Sequence, residues 1–116
     1  LLAKAPDTDA VFCANDDLAL GVLFECRRRQ ISVPEQVLIS GFNDLEFMAS
    51  AMPTLTSVRT NRYEMGRNAA TMVIEAIEGR RPEQKVVDLG FTVMVRQSSL
   101  RPGGGRAAVE RQSAAE

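Results

Sequence analysis

The sequence predicts an α/β fold organised around a parallel sheet. Three observations predict it. Short apolar runs stop abruptly at polar turns, segments of helical character follow those turns, and runs and segments alternate in the order βαβαβαββ. In open sheets of this kind, ligands sit beyond the carboxyl ends of the strands, on the turns. The polar turns are therefore where function is to be sought.

The elements follow in order. Residues 1–5, LLAKA, read as the last turn of a helix begun upstream, and Pro6-Asp7-Thr8-Asp9 as a turn into the first strand. Residues 10–14, AVFCA, read as a buried strand that ends at Asn15-Asp16-Asp17. A helix then runs to about Arg29; Asp16 and Asp17 suit its positive N-terminal end, and Arg27-Arg28-Arg29 its negative C-terminal end. Leu18, Val22 and Cys26 make one apolar stripe, and Leu20 and Phe24 lie on another. Two stripes leave two readings open: a second chain covers Leu20 and Phe24, or they are buried within the same subunit.

Residues 30–35 connect, with Pro34 as a stop. Residues 36–40 are expected as the second strand, followed by Gly41-Phe42-Asn43-Asp44, where glycine allows close approach and Asn43-Asp44 offer polar groups to a cleft. Residues 45–52 read as a short helix carrying Phe47 and Met48 among small neighbours, again interface material. Residues 55–59 alternate as strand three, and Thr60-Asn61-Arg62 make the third polar turn. The clearest helix spans 61–79. Asn61 caps it with Glu64 in the reciprocal position; Met65, Ala69, Met72, Val73, Ala76 and Ile77 share a face, and Gly79 closes it, with Arg80-Arg81-Pro82 just outside. Residues 85–89 and 91–96 are expected as two closing strands around Gly90. From Ser98 onward no core pattern remains; the organisation read from sequence is 1–98 as domain and 99–116 as a low-complexity or disordered tail. So few strands suggest part of a larger domain.

Composition narrows the function. The 116 residues are 45% hydrophobic and 25% charged with a net charge of −1, ordinary for a globular domain and without the basic excess of a nucleic-acid binder. No apolar run is long enough to span a bilayer, and no signal peptide is visible. Cys13 and Cys26, with no histidine in the chain, read as buried thiols in a reduced, cytoplasmic setting rather than as a metal site. The missing histidine also removes the commonest general base, and no GxSxG elbow or phosphate-cradling glycine loop follows a strand. Asp16-Asp17 with Asp44 would make a receiver-type acidic site only with a well-placed lysine, and Lys4 and Lys85 are badly placed. The expectation is a protein that is not an enzyme and carries no cofactor.

The three turns suit a polyhydroxylated ligand, because amides both donate and accept, and Arg62 adds a bidentate partner for a carboxylate or phosphate. Asn15 and Asn61 are equally explained as helix caps, and capping does not exclude ligand contact.

AVFCANDDLALGVL, ISVPEQVLISGFND and MPTLTSVRTNRYEMGRNAA, in that order, resemble the C-terminal part of the effector-binding domain of the lactose-repressor (LacI/GalR) family of bacterial transcription regulators. The resemblance covers about residues 9–98, and its wording is nearest to gluconate-utilisation repressors. It implies a periplasmic-binding-protein-like fold of two α/β subdomains that bind a sugar or sugar acid in the cleft between them. This chain would supply the end of the second subdomain, the crossover helix 61–79 and the closing strands. DNA would be bound only by an N-terminal helix-turn-helix absent from this chain.

Matched to the family pattern, Asn15, Asn43, Thr60 and Arg62 fall on effector-contacting or cleft-lining positions. Asn43 replaces the family's usual Asp; an amide repels an acidic ligand less, and Arg62 would pair such an acid. Leu20, Phe24, Phe47, Met48 and Ala51 fall near the family's homodimer interface. Gln30 stands where the family usually has a helix-ending Gly, and Gln36 where it has Asp; both read as surface matters. The alternative is a periplasmic sugar-binding protein of a transport system. Bare sheet edges are also expected to make the isolated chain self-associate.

Overall fold

Four strands form one sheet in order β1-β2-β3-β4 in the computed structural model, which describes residues 3–80 and 86–103. The strands are β1 (Ala10–Phe12), β2 (Leu38–Phe42), β3 (Thr56–Thr60) and β4 (Phe91–Met94). The helices are α1 (Asp16–Arg28), α2 (Phe47–Ser50) and α3 (Arg62–Ile77), with a 3₁₀ turn at Gln97–Ser99. β1 pairs β2 and β2 pairs β3 in parallel, while β4 returns antiparallel to β3. The fold is thus the expected α/β arrangement with a mostly parallel sheet. Parallel pairing puts the carboxyl ends of β1, β2 and β3 on one rim.

Register sets the core. Val11 pairs Ile39, and Ser40 pairs Thr56 in the next ladder, so Val11, Ile39 and Leu55 point to the same side. On that side Ala19, Leu23 and Cys26 of α1, Met48 of α2, and Cys13, Val37, Ile39 and Leu55 form the buried cluster. The other side is open at Phe12, which is 66% exposed, and at Phe91.

Several expectations need correction. The run 10–14 is not a fully buried strand: β1 is a three-residue edge strand with only its central residue half-buried. The core stripe of α1 is Ala19–Leu23–Cys26, one position round from the expected one, and Leu18 is exposed. Leu18 and Val22 instead line, with Val11 and Gly21, an open groove of about 350 Å³ beside β1. β2 begins at Leu38 rather than at 36, because Ser32 and Gln36 still close a turn: the Gln36 and Val37 amides donate to the Ser32 carbonyl, and the Ser32 amide donates to Gln36 Oε1 at 2.7 Å. Gly41 and Phe42 lie inside the strand, not in the turn. α2 is shorter than 45–52. Residues 86–89 form no strand; Val86 and Val87 are exposed and find no core, and Lys85 lies outside the described residues.

Ser98, the last residue of the expected domain, belongs to the packed structure. Its side chain is fully buried, donates to the Ile39 carbonyl at 2.6 Å and accepts the Thr56 amide at 2.9 Å, so it stitches the chain's return to β2 and β3. Arg101 reaches the Pro34 and Asp9 carbonyls at 3.3 Å. Of the other expectations, Leu1, Leu2, Arg81, Pro82 and residues 104–116 lie outside the described residues. Cys13 and Cys26 are buried free thiols, and burial pushes both thiols above their ordinary pKa.

Candidate functional site

The rim is built from three strand ends. Asn15 stands three residues beyond β1 as the cap of α1, its Oδ1 accepting the Leu18 amide at 2.8 Å. Asn43 follows β2 directly, and its amide donates to the Val58 carbonyl of β3 at 2.9 Å. Thr60 is the last residue of β3, and Arg62 opens α3. Arg62 Nη1 donates to the Asn43 carbonyl at 2.9 Å, so the second and third turns touch. Asn15, Asn43 and Thr60 are half-buried and Arg62 is exposed. Among the described residues the Asn43 amide and the Thr60 hydroxyl make no side-chain hydrogen bond. Both keep their hydrogen-bonding capacity.

Asn61 caps α3, accepting the Glu64 amide at 3.3 Å, but the reciprocal half of the capping box does not form, because the Glu64 carboxylate pairs with Arg67 instead. Gly79 has φ +78; its amide donates to Ala76 and the Arg80 amide to Glu75, closing α3 with the two bonds of a left-handed C-terminal cap. α1 ends in the same way at Gln30, with φ +60. The replacement of glycine there is therefore a matter of backbone strain and not only of surface.

Asp44 does not face a cleft. It is buried, with Arg59 Nη2 2.6 Å from Oδ2 and Arg96 Nη1 2.7 Å from Oδ1. The second contact is a close ion pair; among the described residues Oδ1 accepts no directed hydrogen bond. Arg96 Nη1 also donates to the Leu55 carbonyl at 2.8 Å. Burial by itself would raise the Asp44 pKa, but Arg96 and Arg59 together outweigh it and hold the carboxyl below its ordinary value.

Sequence reasoning missed this ion pair and the buried group beneath it. Asp16 is fully buried, with Oδ1 accepting the Ser57 hydroxyl and Oδ2 the Leu45 amide, both at 2.6 Å. Nothing in the one-dimensional pattern distinguishes Asp16 from the exposed Asp17, or signals that Arg59 and Arg96 share a partner.

Of the positions expected near a dimer interface, Met48 is corrected. It is fully buried in its own chain's core, in line with the fold's need for a side chain above Gly41. Leu20, Phe47 and Ala51 are partly buried against the same core, and Phe24 is 57% exposed.

With the geometry in place, the relationship to known proteins is direct. A periplasmic binding protein-like domain model matches residues 1–99. The chain belongs to that family. Its relatives place the domain among LacI-type regulators. It is 44% identical over 99 residues to the HTH-type transcriptional regulator GntR of Pseudomonas aeruginosa, covering 85% of this chain and 29% of that protein. It is 45% identical over 92 residues to IdnR of Escherichia coli K12, covering 79% and 28%. The domain spans under a third of these relatives' length.

Among solved structures, a transcription regulator GntR from Chromobacterium violaceum superimposes with TM-score 0.74 at 47% identity, over 84% of this chain and 36% of that one. A CelR–cellobiose complex superimposes with TM-score 0.78 at 37% identity, over 84% and 30%. These relatives are named as regulators, and none of the helices described is long and apolar enough to cross a membrane.

Proposed function

We propose that this chain is the effector-binding and dimerisation segment of a LacI-type transcriptional regulator, and that its effector is a sugar acid such as gluconate. The observation that carries the reading is the contact between Arg62 and the Asn43 carbonyl, which draws two of the three polar turns onto one rim next to Asn15. Asn15, Asn43 and Thr60 offer neutral donors and acceptors to hydroxyls. Arg62 keeps guanidinium donors for a carboxylate, and Asn43, where the family usually has Asp, adds no repelling charge.

In this reading the first subdomain of the longer protein closes the other side of the cleft and lies against α3. Support comes from α3 itself, which has no buried residue and exposes Met65, Val73, Ile74 and Ile77. Leu20, Phe24, Phe47 and Ala51 contribute to a homodimer contact. Effector binding favours one cleft geometry, and the dimer passes that bias to DNA-binding heads elsewhere in the longer protein, with a coupling of roughly 1–3 kcal/mol typical of such systems.

Calorimetric titration of the full-length regulator with gluconate and related sugar acids tests the site. Asn15→Ala and Arg62→Ala are each expected to weaken binding about tenfold or more, the effect of losing a hydrogen bond to a charged or desolvated ligand. Unchanged affinity in both variants would remove the rim from consideration.

A further inference from the structure

The turn that carries Asn43 is held in an unfavourable shape. Asn43 and Asp44 have φ of +110 and +52, two successive non-glycine residues in a region that L side chains avoid. Such backbone persists only where its surroundings over-determine it. Here three successive amides are tied down: Asn43 N–H to the Val58 carbonyl at 2.9 Å, Asp44 N–H to Ser57 Oγ at 3.0 Å, and Leu45 N–H to Asp16 Oδ2 at 2.6 Å. Two of the three end on Asp16 and Ser57, which are themselves joined at 2.6 Å.

Asp16 is otherwise unexplained. A carboxylate in the first turn of a helix needs no burial to suit the helix end, and Asp17, in the same turn, is exposed. Yet Asp16 is fully buried and, among the described residues, has no cationic partner, and the fold leaves room for it. Gly41 lies beside Ser57 in the β2–β3 ladder; a Cβ there would overlap Asp16 Oδ1, and would sit 3.0 Å from Met48 Cε and 3.1 Å from Ala19 Cβ. Gly41 has no positive φ, so glycine is required there by space alone.

The polarity of the arrangement is also fixed. Asp16 accepts at both oxygens, from the Leu45 amide and from the single Ser57 proton, and Ser57 Oγ is left to accept from Asp44.

We propose that Asp16 is a positioning residue for the effector site. Through Ser57 and the Leu45 amide it holds the strained Asn43–Asp44 turn in register with Asn15, its own neighbour, so that two of the three rim turns move as one unit. The proposal rests on the reading of the rim as the effector site.

Asp16→Asn tests it with no change of shape. An amide at 16 loses a bond whichever way it turns: with NH₂ toward Leu45 it sets donor against donor, and with NH₂ toward Ser57 it makes Oγ accept, so that the buried Ser57 proton loses its acceptor. Two measurements on the full-length regulator separate the claims: hydrogen exchange resolved to single amides without ligand, and calorimetry with gluconate. In D16N the Asp44 and Leu45 amides are expected to exchange about tenfold faster or more, with α3 amides unchanged, and gluconate affinity to fall by a similar factor. Ser57→Ala is expected to release the Asp44 amide likewise, and the D16N/S57A double variant to be no worse at that amide than the poorer single one.

Exchange at Asp44 and Leu45 within about twofold of wild type would overturn the proposal. So would wild-type gluconate affinity in a D16N protein whose turn has loosened. Should D16N fail to fold, the S57A exchange rate at Asp44 decides by itself. If the wild type does not bind gluconate, that ligand assignment fails, while the exchange data still judge the relay.

Discussion

α1 and α3 begin and end alike, yet they sit in the protein very differently. Each is capped by an asparagine, Asn15 or Asn61, and each closes through a left-handed residue, Gln30 or Gly79. Both carry apolar residues at helical spacing. α1 buries Asp16, Ala19, Leu23 and Cys26 against the sheet, whereas none of the sixteen residues of α3 is buried. Local sequence therefore specifies where a helix starts and stops, and the burial of its apolar face is a separate matter decided by what lies opposite.

Stability measurements can break this contrast. Leu23→Ala removes a fully buried side chain and is expected to lower the unfolding free energy by about 2–5 kcal/mol in denaturant titrations. Ile77→Ala, at a position 80% exposed, is expected to change it by less than about 0.5 kcal/mol in the same chain. Equal losses would mean that α3 is covered in solution. A large Ile77 effect confined to the full-length regulator would instead point to a covering subdomain.

An intermediate effect is expected from acid. The folded pKa of Asp44 is depressed, so its ion pairs contribute stability above the unfolded carboxylate pKa, and that contribution is lost as pH falls through the folded value. Unfolding free energy should be flat above about pH 5 and decline below about pH 4. Asp44→Asn should flatten the decline measured by urea titration across that range. A decline of unchanged slope would show that the Arg59–Asp44–Arg96 cluster contributes little.

The smallest expected effect sharpens the comparison of helix ends. Gln30→Gly relieves a left-handed non-glycine residue and should stabilise the chain by about 1 kcal/mol, read as a rise in thermal midpoint. Gly79→Ala at the equivalent position of α3 should do the reverse, to a similar extent. No shift at Gln30 would mean that its backbone is not held where the cap places it.

Much of the fold was legible in the chain, because it rests on local signals. Abrupt polar turns after apolar runs located three strand ends to within about two residues, and the Asn and Gly punctuation of residues 61–79 located α3 almost to the residue. Legibility failed where a partner decided the outcome. Residues 85–89 look like a strand, yet 86–89 form none, and Ser98 carries no core pattern but closes hydrogen bonds to β2 and β3. Met48 looked like surface material because nothing in its own helix reveals the space above Gly41.

The candidate site divides in the same way. The placement of Asn15, Asn43, Thr60 and Arg62 on one rim was readable, since each ends or follows a strand and the parallel order aligns those ends. The support beneath them was not, because Asp16, Ser57 and Asp44 are 13 to 41 residues apart and meet only when the strands are set in register. By itself, then, the sequence determined the type and order of most elements and their limits to within about two residues, through turn chemistry and periodicity that act within a few residues. Only the tertiary structure decided which apolar faces are covered and which of the acidic residues are buried. Those outcomes depend on what long-range pairing brings opposite each side chain.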